Sequence, residues 1–203
     1  MSLSRRHFFY GSLLATAANA APTLKSLGYK SPSEKLNIAA IGSGGKGFTD
    51  LNGCVGENIV ALCDPDDKRA ERAYQKFPDA PKYKDFRVML DKHKEIDAVL
   101  VSCPDHMHAT CALACMQLGK HIYCEKPLTR TSWEARLLRQ AADKYKVATQ
   151  MGNQGYSHDA TRVACEIIWS GEIGEVREAH VATSPSTYPT ELTQLPPEKE
   201  VPT

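Results

Sequence analysis

The sequence predicts an α/β fold: a doubly wound parallel sheet with helices on both faces. Three observations point there. From residue 35 onward, short apolar runs alternate with helix-length stretches, a pattern that needs right-handed crossovers between parallel strands. A glycine-rich string, Ile41-Gly42-Ser43-Gly44-Gly45-Lys46-Gly47, directly follows the first run. An aspartate, Asp64, closes the second run 22 residues after Gly42.

The expected strands are residues 36–41, 58–63, 98–102, 121–124 and 147–151, each a short apolar run bounded by turn or polar residues. The charged, amphipathic stretch 66–77 and the shorter 86–93 read as helices. In 105–118, Ala109, Ala112, Leu113 and Met116 share one stripe, and Gly119 is the stop. Thr131-Ser132-Trp133-Glu134 is a capping box, because the threonine and glutamate side chains can satisfy each other's backbone N–H groups. Behind it, Trp133, Leu137, Leu138, Ala141 and Tyr145 form the expected buried face. Residues 159–170 predict one more helix, stopped by Gly171, and 175–183 a further strand. The last twenty residues are rich in Pro, Thr and Glu and carry no core pattern.

Composition narrows the function classes. The 203 residues carry 25 basic and 24 acidic side chains, a net charge of +1. A nucleic-acid binder needs a basic excess to displace counterions, so none is expected as a partner. A hydrophobic fraction of 42% is too high for a disordered chain. No apolar run is long enough for a membrane span.

The first twenty residues read as a leader. Arg5 and Arg6 precede a short apolar stretch that ends in Ala18-Asn19-Ala20, a small-x-small cleavage pattern. The adjacent arginines resemble a twin-arginine export signal, which predicts a periplasmic or otherwise exported protein. Residues 21–34 are the expected linker. Seven cysteines cannot all pair within one chain. The twin-arginine route exports folded proteins, and most of the cysteines sit in apolar runs, so they are expected as buried free thiols rather than a disulfide framework.

The chemistry gathers at the ends of the strands. In G-x-G-x-x-G, Gly42 permits the tight turn, Gly44 lets the backbone approach a pyrophosphate, and Gly47 allows close packing of the helix. The helix N-terminus offers free N–H groups to phosphate. Asp64 can accept hydrogen bonds from the adenosine ribose and favours NAD over NADP. Lys68 or Arg69 could soften that preference, so NADP stays open. Asp66 is a second ribose contact or, more simply, the cap of the next helix. Ser102-Cys103-Pro104-Asp105-His106-Met107-His108 ends the third central strand, and ligands collect at carboxyl ends. The H-x-H pair beside Cys103, Cys111 and Cys115 raises a metal reading, but no C-x-x-C pair supports it, and no metal is expected. Glu125-Lys126-Pro127 ends the next strand. A lysine there can hydrogen-bond a substrate hydroxyl and stabilise charge developing on it, or it can be an exposed ion pair. Pro127 would fix the turn, through a cis peptide if needed.

Together these stretches, with Gly171–Val176 and above all the string Gly119-Lys120-His121-Ile122-Tyr123-Cys124-Glu125-Lys126-Pro127-Leu128, resemble the nucleotide-binding half of the Gfo/Idh/MocA oxidoreductases. The resemblance implies a Rossmann domain followed by an α/β substrate domain, and hydride transfer between a nicotinamide and a secondary alcohol of a sugar or cyclitol. By it, Gly42, Gly44 and Gly47 cradle the pyrophosphate and Asp64 holds the ribose. Ser102, Pro104 and His108 border the dinucleotide. Glu125, Lys126 and Asn153 border the nicotinamide and substrate, with Lys126 the catalytic candidate. The resemblance sets the Rossmann domain at residues 35–155 and an incomplete start of the substrate domain at 156–203. The family's general base would lie in that second domain, so the chain as it stands is expected to bind dinucleotide with little turnover. The family also implies a homo-oligomer for the full-length protein. Two other readings are an NAD-dependent glycosidase of the same family and a non-catalytic dinucleotide-binding module. His180, on the last expected strand, reads as structural.

Overall fold

The computed structural model describes residues 34–182. The expected leader, nearly all of the linker and residues 183–203 fall outside the described residues.

Six strands form one parallel sheet: β1 (Asn37–Ile41), β2 (Asn58–Cys63), β3 (Lys82–Tyr83), β4 (Ala98–Val101), β5 (His121–Glu125) and β6 (Thr149–Gly152), in the spatial order β3-β2-β1-β4-β5-β6. This is a doubly wound Rossmann sheet, with the strand order reversing at β1. The connecting helices are α1 (Lys46–Gly53), α2 (Asp67–Lys76), α3 (Phe86–Lys92), α4 (His108–Gln117) and α5 (Ser132–Tyr145), and α6 (Asp159–Ser170) comes after β6. Single 3-10 turns, Asp105–Met107 and Gln154–Ser157, precede α4 and α6.

Register fixes where the strands end. Ile41 lies beside Cys63 and Val101, Val101 beside Cys124, and Glu125 beside Gly152. The carboxyl ends therefore form one continuous rim. Both faces of the central strands are covered, which is why their sequences are nearly unbroken apolar runs. Ala39, Ile41, Val99, Val101, Ile122 and Cys124 face a core closed by Met89, Cys111, Cys115, Met116 and Leu138. Ile38, Ala40, Leu62 and Leu100 face Leu51 and Ala73 on the other side.

The caps explain several helix starts. Asp66 accepts from the backbone N–H groups of Lys68 and Arg69, so it is the cap of α2. Asp85 caps α3. Thr131 and Glu134 make the full capping box on α5. Gly171 ends α6 in the left-handed conformation at φ 79°.

The structure corrects four expectations. Residues 175–182 are coil, not strand; among the described residues no neighbouring strand offers the ladder that a strand needs. His180 accordingly lies exposed in that coil, beside Glu178. Trp133 is 67% exposed: steps of four drift about 40° each around a helix of 3.6 residues per turn, so the row running back from Ala141 leaves the sheet before it reaches Trp133. The stretch 105–118 is not a single helix, because its first residues form the 3-10 turn that lets α4 start at His108. The two-residue β3 carries no periodicity, and the sequence pattern does not reveal it.

Candidate dinucleotide site

The glycine turn joins β1 to α1 on this rim. Gly42 sits at φ 83°, and a Cβ there would lie 2.6 Å from the backbone of Ser102 and Cys103. A Cβ at Gly47 would overlap the carbonyl oxygen of Gly42. The turn is pinned by hydrogen bonds from Gly42 N–H to Cys63 O (2.8 Å) and from Gly47 N–H to Gly44 O (3.0 Å). Packing adds a second constraint at Gly44. A Cβ there would come 2.5 Å from the carbonyl oxygen of Arg69, at the start of α2. Glycine at this position lets the second helix approach the turn.

Asp64 is buried at the end of β2 and accepts from Gly44 N–H at 2.9 Å and Asp66 N–H at 3.0 Å. The carboxylate is thereby locked against the glycine turn. Two bonds leave further lone pairs on its oxygens for a ligand hydroxyl.

The start of α1 is built for an anion. Its N-cap is Gly45, with no side-chain capping bond and no acidic residue in the first turn. In α2, α3 and α5 an oxygen side chain fills that role. Uncapped N–H groups at a helix N-terminus donate to phosphate oxygens, aided by the helix dipole. Two cations stand near: Lys46 opens the helix, and a Cβ at Gly45 would lie 3.6 Å from Arg69 Nη2. Bare peptide, uncapped N–H groups, a ribose acceptor and flanking cations together fit a dinucleotide pyrophosphate.

A polar chain ties this turn to β5. Ser102 donates its hydroxyl to Asp50 at 2.7 Å. Lys46 pairs with Asp50 and, at 3.0 Å, with Glu125 Oε1. Gln154 donates to Glu125 and, at 3.0 Å, to the Tyr123 hydroxyl. Burial pulls the Lys46 ammonium down, but its bonds to Asp50 and Glu125 outweigh that and leave its pKa raised. A Cβ at Gly152 would overlap Glu125 Oε1, so a glycine in β6 makes room for this buried carboxylate. Sequence reasoning assigns no role to Lys46, Asp50, Tyr123 or Gln154. Lys46 and Asp50 stand four residues apart on α1, and the sheet order sets β5 within reach of them.

Lys126 comes directly after Glu125, exposed on the rim, and its bond to Pro127 is cis. Pro104 is exposed at the head of the 3-10 turn, where its carbonyl accepts from Met107 N–H. Asn153 is exposed immediately after β6. His108 is buried. It is 1% exposed, with Nδ1 2.6 Å from Pro127 O and Nε2 2.8 Å from Cys103 O. Carbonyl oxygens only accept, so whichever ring nitrogen carries the proton donates to one of them. No ring nitrogen is left for a ligand; the residue pins the turn after β4 to the turn after β5. The other expected site residues share the rim: Gly42, Gly44, Gly47, Asp64 and Ser102 meet around the glycine turn, and Glu125 joins them through Lys46. Among the described residues no three His, Cys, Asp or Glu side chains gather to hold a metal ion, and no helix is long and apolar enough to cross a membrane.

Residues 36–153 match the family model for Gfo/Idh/MocA, "Oxidoreductase family, NAD-binding Rossmann fold". The chain belongs to the Gfo/Idh/MocA oxidoreductase family. Among curated relatives, an uncharacterised oxidoreductase of Rhizobium meliloti is 33% identical over 60% of the chain and 36% of its own length. An inositol 2-dehydrogenase of Salmonella typhimurium is 30% identical over 62% of the chain and 38% of its own. The chain thus spans well under half the length of these two relatives. Among solved structures, an NAD-binding oxidoreductase of Klebsiella pneumoniae superposes with a TM-score of 0.57 at 34% identity, covering 70% of this chain and 40% of that one. An inositol dehydrogenase homolog of Azotobacter vinelandii, complexed with NADH and myo-inositol, gives 0.61 at 25%, covering 71% and 42%. The family's NAD-binding Rossmann fold and the glycine turn between β1 and α1 coincide in the same residues.

Proposed function

We propose that this chain is the nucleotide-binding part of an exported, NAD-dependent dehydrogenase acting on a secondary alcohol of a sugar or cyclitol. The observation that carries the reading is the uncapped, glycine-floored start of α1 with Asp64 bonded to its turn. The substrate class is supported by relatives named inositol 2-dehydrogenase and levoglucosan dehydrogenase. Export is supported by Arg5-Arg6 and Ala18-Asn19-Ala20. Asp64 favours NAD because a 2′-phosphate would meet a carboxylate, although Arg69 stands close to the same turn.

Bound nicotinamide would supply or accept the hydride. The chain's own residues do the rest. The α1 N–H groups and Arg69 hold the phosphates, and Asp64 accepts from ribose hydroxyls. Glu125 is held by Lys46 and Gln154, which keeps the adjoining Lys126–Pro127 turn in place. Lys126, exposed on the rim, donates a hydrogen bond to the reacting oxygen and steadies charge growing there.

The test monitors nicotinamide absorbance with NAD and a panel of cyclitols and pyranosides, using the longest reading frame that contains this chain. Lys126→Ala should lower turnover at least about a hundredfold, the scale of losing one transition-state donor, with NAD affinity changed less than about threefold. Unchanged turnover would remove Lys126 from the chemistry.

A further inference from the structure

Cysteine is spread through the core, and one pair differs from the rest. Cys103 Sγ and Cys111 Sγ share a hydrogen bond of 3.8 Å. Cys111 is 1% exposed on α4, whereas Cys103 is half-buried in the turn after β4. Burial pushes the thiols of Cys63, Cys115 and Cys124 up to about 12, which suppresses their thiolates. The contact with Cys111 acts the other way on Cys103 and holds that thiol below the usual value. Cys103 is the partly exposed member, and the Cys111 sulfur stands 3.8 Å from its own.

We propose that Cys103 and Cys111 are a peroxide-sensitive dithiol that closes to an intramolecular disulfide. Hydrogen peroxide, a small hydroperoxide, reaches the half-buried member. The Cys103 sulfur attacks one peroxide oxygen, the O–O bond breaks, and Cys103 sulfenic acid and one water result. The Cys111 sulfur then attacks the sulfenic sulfur, the S–O bond breaks, and the leaving oxygen takes the thiol proton as a second water. Two thiols lose two hydrogens and two electrons, and the peroxide becomes two waters.

The geometry permits closure. A disulfide needs its sulfurs about 2 Å apart, so the pair closes by a little under 2 Å, within the arc that rotation about χ1 gives a sulfur. Cys103 is carried by the turn after β4 rather than by the helix. The modification lies against the glycine cradle, because the backbone nitrogen of Cys103 is one of the atoms a Cβ at Gly42 would strike. Neither thiol has a part in the proposed hydride chemistry, so the pair stands or falls independently of it.

The test uses the whole chain with Cys54→Ser and Cys165→Ser, which removes the other two half-buried thiols. Folded protein is treated with hydrogen peroxide, alkylated, and cleaved on the N-terminal side of aspartate without reduction. Cleavage before Asp105 separates Cys103 from Cys111, and tandem mass spectrometry distinguishes Cys111 from Cys115. The expected product is a Cys103–Cys111 linked pair, lighter by two hydrogens and released by dithiothreitol. With Cys111→Ser added, oxidation stops at Cys103 sulfenic acid, which dimedone traps. If that variant does not fold, the linked pair in the parent decides alone. A bond to Cys115, oxidation of Cys103 past the sulfenic acid while Cys111 stays a free thiol, no reaction of the folded protein, or equal attack on Cys63 and Cys124 would each overturn the proposal.

Discussion

α5 and α6 are helices of similar length, 14 and 12 residues, each with an apolar side. α5 is capped by Thr131 and Glu134 and buries Leu138 and Ala141. α6 has no side-chain cap and buries nothing; Val163 is 50% exposed and Ile168 46%. The cause is the chain on the C-terminal side of each helix. α5 is a crossover between β5 and β6, so the return strand presses it onto the sheet. No strand among the described residues returns from α6. An apolar stripe therefore predicts a helix, while its burial depends on the element that the chain forms next. The same contrast separates the whole rim, locked by short hydrogen bonds, from residues 154–182.

That contrast can be broken most severely at the rim. Gly47→Ala places a Cβ on the Gly42 carbonyl. Because the obstacle is backbone, the cost should reach at least about 3 kcal/mol, the upper range for overpacking, read as a lower urea midpoint. An unshifted midpoint would show that the turn relaxes freely.

A matched pair sharpens the comparison. Leu138→Ala in α5 should cost about 2–5 kcal/mol, as buried leucines do. Ile168→Ala in α6 should stay within about 0.5 kcal/mol, as exposed sites do. Equal losses in urea unfolding would mean that the two helices are buried alike.

The smallest effect is electrostatic. Lys46 has a raised pKa in the folded chain, so its stabilisation is complete below its ordinary value of 10.5 and is lost as pH rises through the raised value. Its side chain is 41% exposed, so screening holds the effect to no more than about 1 kcal/mol. The stability gap between wild type and Lys46→Met should be flat near neutral pH and shrink only in strongly alkaline buffer. A gap that already shrinks below about pH 9 would show that the lysine is not held by Asp50 and Glu125.

Much of this is legible in the residues. The strands stand out because burial on both faces leaves unbroken apolar runs, and the caps stand out because Asp66 and Thr131 precede their helices by fixed offsets. The glycine turn is legible as a position, but only packing shows that Gly44 makes room for Arg69. His108 is legible as a residue of the rim and not as a buried pin, because its two carbonyl partners come from turns 5 and 19 residues away. The Lys46–Glu125 pair is invisible in one dimension, since it depends on β4 alone separating β1 from β5. Of the strand expected at 175–183, residues 175–182 are coil, with no partner strand beside them among the described residues.

The central claim is that dinucleotide phosphates rest on the start of α1 with the ribose held by Asp64. Calorimetric titration of NAD into the folded chain and into its Asp64→Asn variant tests it most directly. Saturable one-site binding is expected, weakened about tenfold or more by the variant, the scale of a lost charge-assisted bond. Folded wild type that takes up no NAD, or a variant that binds it equally well, would contradict the account.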